Sequence, residues 1–114
     1  MNTLRNRVQL IGHLGKDPEV KSLNNDKTVA RFSMATSESY KKENGEKVTE
    51  TQWHNIVAWN GTAKLIEKLL KKGNEVAIEG KLTSRSWDDK DGNKRYITEV
   101  IVSDFVLFNR PKAE

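Results

Sequence analysis

The side chains with most chemistry to offer are four aromatic residues, Tyr40, Trp53, Trp59 and Trp87, set among cations. Trp53 and Trp59 fall in Thr-Gln-Trp-His-Asn-Ile-Val-Ala-Trp, residues 51–59. The run is rich in β-branched and aromatic residues, so it reads as a strand. The two indoles are an even number of positions apart, so on a strand of period two they share a face with Asn55 and Val57. His54, Ile56 and Ala58 take the other face. Flat π-surfaces beside cations suit an unpaired nucleic-acid strand, whose bases stack on rings and whose phosphates meet lysine and arginine. Lys41, Lys42, Lys72, Lys81 and Arg85 are the candidate phosphate contacts. The competing reading makes the tryptophans core residues, because aromatic side chains dominate cores.

Other chemistries have little to work with. The chain has no cysteine, which removes disulfides, thiolate metal sites and a cysteine nucleophile. Its histidines, His13 and His54, stand in no metal-binding spacing, and no glycine-rich phosphate loop or nucleophile elbow occurs. The run Asp88-Asp89-Lys90-Asp91-Gly92 lacks the spaced ligands of a calcium loop and reads as turn aspartates. The sequence therefore predicts a protein that is not an enzyme and carries no cofactor and no metal. The 114 residues suit one domain, expected over 1–109 with a short polar tail over 110–114. The net charge of +4 is compatible with a polyanionic partner. The absence of a signal-peptide pattern or a membrane-length apolar run makes a soluble cytoplasmic protein the expectation, with no membrane partner.

These side chains need elements to hold them. Residues 8–14 read as a first strand, with Val8, Leu10, Gly12 and Leu14 on one side and Ile11 and His13 on the other. A short extension over 20–23 precedes turn chemistry at Asn24-Asn25-Asp26. A second strand is expected over 28–37. A long polar loop then covers 38–50, with Tyr40 at its base and an Asn44-Gly45 turn at its centre. After the Trp53 strand, Leu65, Ile66, Leu69 and Leu70 recur at helical spacing, with Asn60 as N-cap and Gly73 as left-handed C-cap. In that last turn Lys71 and Lys72 also complement the helix dipole, which accounts for both without a ligand. Residues 75–87 form a fourth strand that puts Trp87 in line with Lys81 and Arg85. An Asp91-Gly92 hairpin leads to a fifth strand system over 94–108, with a bend at Ser103-Asp104.

Five short one-sided strands must close or pair their edges. An all-β OB-fold, a five-stranded Greek-key barrel with one helix between the third and fourth strands, fits this order. An SH3-like barrel accommodates the helix less well.

Several stretches carry a resemblance to a known family. They are Asn6-Arg7-Val8, Gly12-His13-Leu14-Gly15-Lys16-Asp17-Pro18-Glu19-Val20, Ala35-Thr36-Ser37-Glu38-Ser39-Tyr40, residues 51–59, Leu70-Lys71-Lys72-Gly73, Ile78-Glu79-Gly80-Lys81-Leu82, Arg85-Ser86-Trp87, Asp91-Gly92 and Tyr96-Ile97-Thr98-Glu99-Val100. In this order, over nearly the whole chain, they resemble the bacterial single-stranded DNA-binding proteins. The resemblance implies an OB-fold subunit of a homotetramer that binds and protects single-stranded DNA, without sequence preference, in replication, recombination and repair. It implies a cytoplasmic, nucleoid-associated protein. It implies stacking by Tyr40, Trp53, Trp59 and Trp87, and a subunit interface at His54. Ile11, His13, Ile56 and Ala58 join His54 as interface candidates, because they face away from the barrel interior or the stacking face expected here. Asn55 and Gly61 depart from the family's pattern, which commonly has basic residues there. The chain ends in Asn-Arg-Pro-Lys-Ala-Glu, where the family typically carries a flexible linker and an acidic tip that recruits replication and repair proteins. The expectation is a short member without that tip, or recruitment through another surface. The alternative function is an OB-fold protein-interaction module of a replication-restart assembly, and RNA is an alternative strand to DNA.

Overall fold

The computed structural model describes residues 4–108. Six strands and one helix follow in order: β1 (Val8–Leu14), β2 (Glu19–Leu23), β3 (Lys27–Lys41), β4 (Lys47–Trp59), α1 (Asn60–Leu69), β5 (Glu75–Asp88) and β6 (Lys94–Leu107). The sheet order is β1-β5-β6-β4-β3-β2, and β1 also pairs with β3. That second pairing closes five strands into a barrel, with β2 as a flap on β3. The OB-fold expectation holds, down to the helix between the third and fourth long strands.

Closure depends on a close approach. β1 runs antiparallel to β5 through His13↔Glu75 and to β3 through His13↔Ala35 and Leu14↔Met34. At the crossing, a Cβ on Gly12 would collide with the Ala35 carbonyl, so only glycine lets the two backbones meet. The opposite seam is a short parallel pairing, Ile56↔Val100 and Val57↔Ile101. Within β6 the expected bend is a bulge. Gly80 pairs with Val102 and Glu79 with Asp104, which leaves Ser103 as the extra residue.

The interior is filled from alternate positions of each strand, as period two requires: Leu14, Ala30, Phe32, Met34, Ile56, Ala58, Val76, Ile78, Val100 and Val102. Helix α1 plugs one end with a narrow stripe, Ala63, Ile66 and the following Leu70. Leu65 and Leu69, expected on the same apolar side, are about half exposed, because one edge of a three-turn helix is enough to close the barrel end. The helix ends also differ from expectation. Asn60 has φ +52 and starts the helix itself, and its Oδ1 accepts from the Thr28 N–H at 3.2 Å. Gly73 is left-handed but lies beyond the C-cap, Leu70, in a turn whose N–H reaches the Leu14 carbonyl at 2.9 Å.

The largest difference lies in residues 38–50. The expected loop is mostly sheet: β3 and β4 pair without a break from Val29↔Trp59 to Lys41↔Lys47. A tight turn closes the ribbon, with Lys42 N–H to Glu46 O at 2.8 Å and Asn44 Oδ1 accepting from Glu46 N–H at 2.9 Å. The residues are polar on both sides, so no buried face imposes the alternation by which a strand is recognised.

Candidate nucleic-acid interface

Register determines which side chains meet. In antiparallel pairing, opposed residues share a face. Trp59 opposes Val29, Val57 opposes Arg31, Asn55 opposes Ser33 and Trp53 opposes Ala35, with no bulge between the two indoles. Ile101 of β6 lies beside Val57, and it opposes Lys81 of β5. From there Glu99 opposes Thr83, Ile97 opposes Arg85 and Arg95 opposes Trp87. One outer face of β5-β6-β4-β3 therefore carries Trp53, Trp59, Trp87, Lys81, Arg85 and Arg31 together. The indoles are solvent-facing, with Trp53 62%, Trp87 43% and Trp59 37% exposed, so the core reading of the tryptophans fails.

Each ring is held by a different device. A Cβ on Gly15 would stand 2.5 Å from Cζ3 and 2.9 Å from Cη2 of Trp53, so the indole leans on bare backbone while most of it stays open. Trp87 has the Arg85 guanidinium over its ring, 5.4 Å from the centroid. Trp59 ends β4, where the chain turns into α1.

Between the aromatics lies a group that sequence reasoning did not single out. Glu99 is 4% exposed, yet it sits on the outer face. Its Oε2 accepts from Arg31 Nη1 at 2.7 Å and its Oε1 from Arg85 Nε at 3.2 Å. Arg31 and Arg85 remain about half exposed. Arg31 springs from β3 opposite Val57 and reaches β6, so its stem crosses β4 and explains why outward-facing Val57 is buried. A recess of about 300 Å³ opens here, lined by Lys16, Asp17, Arg31, Asn55, Arg85 and Glu99 among others. No sequence signal links Arg31 to Glu99, because the parallel β4–β6 seam that joins them is non-local.

The remaining expected site residues are spread out. Tyr40 opposes Val48, and unbroken alternation puts it on the ribbon face of Thr36 and His54, opposite Trp53. Tyr40 therefore does not share the face that carries the three indoles. Lys41 opposes Lys47 near the tip, on the Trp53 face, and Lys42 opens the turn. Lys72 follows α1, and its backbone N–H donates to Asp17 Oδ1 at 2.8 Å, which puts it beside the recess that Asp17 helps to line.

Of the proposed interface residues, Ile56 and Ala58 are corrected: they are 1% and 0% exposed inside the barrel, because they fall on the face that opposes Phe32 and Ala30. Neither has surface to give a neighbour. His54 lies on the same side but above the barrel, and its Nε2 shares a hydrogen bond of 2.9 Å with Thr36 Oγ1. Ile11 and His13 are exposed on the outer side of β1. Ile11 opposes Ala77, which in turn opposes exposed Val106, so the three form an outward row. Among the described residues no cluster of three or more His, Asp or Glu could hold a metal, and no helix is long and apolar enough to cross a membrane. The tail over 110–114 lies outside the described residues.

At the far end of the same face, Asp89 ties off the β5–β6 turn. Its Oδ1 accepts from the Asn93 and Asp91 N–H groups, each at 2.9 Å, and its Oδ2 from Arg95 Nε at 2.8 Å. The Asn93 N–H, then the Arg95 guanidinium, hold its carboxyl below the usual aspartate range.

Comparison with known proteins agrees with this geometry. The model of the single-strand binding protein family matches residues 5–108. Single-stranded DNA-binding protein 1 of Chlorobaculum tepidum is 48% identical over 103 residues, covering 90% of this chain and 64% of that protein. The chain thus spans somewhat under two thirds of that relative. Single-stranded DNA-binding protein 1 of Xylella fastidiosa is 39% identical over 106 residues, covering 92% of this chain and 78% of that protein. Among solved structures, the Plasmodium falciparum SSB complex with ssDNA superposes with a TM-score of 0.84 at 36% identity, covering 91% of this chain and 95% of that one. A deletion mutant of the Thermus aquaticus single-stranded DNA binding protein gives 0.78 at 25% identity, covering 91% and 50%.

Proposed function

The chain belongs to the single-strand binding protein family, and on that footing we propose that it is a non-enzymatic, sequence-independent binder of single-stranded DNA. The observation that carries this reading is the outer β5-β6-β4-β3 face, with three open indoles interleaved with Lys81, Arg85 and Arg31. Bases stack on Trp53, Trp59 and Trp87, and the backbone between them meets the cations. Stacking is indifferent to base identity and worth roughly 1–3 kcal/mol per base. Tyr40, Lys41 and Lys42 extend the path at the tip of the β3–β4 ribbon, and Lys72 extends it beside Asp17. The ssDNA complex of the Plasmodium falciparum SSB supports DNA as the strand.

The test is an oligo-dT titration followed by intrinsic tryptophan emission. Strong quenching is expected, with affinity falling as salt rises because bound phosphates release counterions. No quenching at low salt would return the protein to the protein-interaction reading. The same titration with an RNA strand separates the two sugars. The subunits assemble in this reading as a homotetramer, with the row Ile11, Ala77 and Val106 as one candidate contact. Light scattering checks it, and a monomer mass overturns it. Cytoplasmic roles in replication, recombination and repair follow from the function.

A further inference from the structure

A buried carboxylate is an unexpected group at the centre of a phosphate-binding face. It opposes the ligand's charge, and burying it is costly unless both oxygens are used. Here both are used, one by each of two guanidiniums that arrive from opposite sides: Arg31 across β4, and Arg85 from β5. Neither bond consumes the arginine. A guanidinium has five N–H donors in a fixed fork; each bond to Glu99 uses one of them, and both side chains stay about half exposed. Arg85 also covers the Trp87 ring, so Glu99, Arg85 and Trp87 form one continuous line. Without the carboxylate the two like charges would repel and spread over many rotamers in water.

We propose that Glu99 is a positioning residue: it clamps Arg31 and Arg85 as a paired fork for the strand's phosphate oxygens and fixes Arg85 over the Trp87 stacking ring. The inference rests on the DNA-binding reading above. It makes a prediction opposite to charge counting. Removing a negative charge from a phosphate-binding face should tighten binding if only net charge matters. If positioning dominates, Glu99→Gln weakens it, because two long side chains must then be ordered at each binding event.

The experiment is the oligo-dT titration on the native protein, Glu99→Gln, Arg31→Gln/Arg85→Gln and the triple variant, each checked by thermal unfolding. Glu99→Gln should lower affinity roughly tenfold, the size expected for ordering two rotamer-rich side chains. In the background lacking both arginines the same change should cost nothing further, which a purely structural role would not produce. Affinity that is equal or tighter in Glu99→Gln, or a loss that persists undiminished in the triple variant, overturns the proposal. If Glu99→Gln does not fold, Arg31→Lys and Arg85→Lys carry the test. Each keeps the charge but loses the fork, so each should weaken binding roughly threefold, and unchanged affinity in both overturns the proposal. A native protein that binds no oligo-dT instead sinks the DNA-binding reading itself.

Discussion

Two hairpins leave this barrel, and they are held in different ways. The β5–β6 hairpin adds charge to its backbone pairing and its Ser84–Thr98 hydroxyl pair: Arg85 is tied to Glu99, Arg95 to Asp89, and the turn closes on the Asp89 carboxylate. Its indole, Trp87, inherits that order through Arg85. The β3–β4 hairpin is fixed by backbone pairing and a ladder of hydroxyls, Ser37 with Thr51 at 3.3 Å and Ser39 with Thr49 at 3.0 Å. Neutral bonds between exposed hydroxyls contribute little net stability, since water competes for them. The two aromatics of this ribbon, Tyr40 and Trp53, lie on opposite faces. A ring's place on a long ribbon thus depends on register, while a ring near a hairpin tip can be fixed through one buried ion at the hairpin's middle.

The sharpest way to break the comparison is at the root of the β3–β4 ribbon. Ile56→Ala removes a side chain buried against Phe32 in the core, and should cost about 2–5 kcal/mol of stability in chemical denaturation. Thr51→Ala, five residues up the exposed ribbon, should change it by under about 0.5 kcal/mol. Similar small effects at both positions would mean that Ile56 faces outward, as an interface residue would.

Next in size is the stacking energy. Trp53→Ala should lower oligo-dT affinity by roughly 1–3 kcal/mol and leave the unfolding midpoint nearly unchanged, because its ring is mostly open. Gly15→Val should imitate part of that loss with Trp53 itself unchanged, since its side chain collides with the indole and pushes it from its seat. Retained affinity in Gly15→Val would show that the seat of the indole is not needed.

A smaller and length-dependent effect belongs to Tyr40. For an oligonucleotide short enough to cover only the barrel face, Tyr40→Ala should cost under about 0.5 kcal/mol, because the ring lies behind the ribbon. With a long strand that can pass round the tip, the loss should rise toward that of one stacked base. A full loss with the short strand would place Tyr40 with Trp53 after all.

The contrast also explains what could be read from the chain. Alternation carries outward from the buried root of each strand: Ile56 and Ala58 on β4, and Val76 and Ile78 on β5, set the phase that puts Trp53 with Trp59, and Trp87 with Lys81 and Arg85, on the expected face. The Asp91-Gly92 turn and the bend at Ser103 were legible because glycine and turn residues mark them. In 38–50 both faces are wet, so a ribbon looked like a loop and Tyr40 could not be assigned a side. Ile56 was misassigned because an alternating strand shows two faces without saying which is inside; Val57, apolar and buried yet outward, blurs the choice further. Arg31 and Glu99 were beyond reach, since β3 and β6 come together only through β4 and its non-local parallel pairing with β6.

The last and smallest effect concerns the turn that ends the charged hairpin. The Asp89 carboxyl titrates below its ordinary value because the Asn93 N–H and Arg95 guanidinium stabilise its charged form. A depressed folded pKa means that the unfolded chain takes up the proton first as pH falls. The stabilisation is therefore complete above the usual aspartate range and is lost progressively as pH drops through the folded value. Asp89→Asn should flatten that acid limb of the stability curve and leave neutral-pH binding by Trp53 unaltered. Because the hairpin is exposed, the loss should appear as early amide exchange in residues 88–94, ahead of any change in the barrel. A variant whose acid limb matches the native one would mean that the charge on Asp89 does not hold the turn.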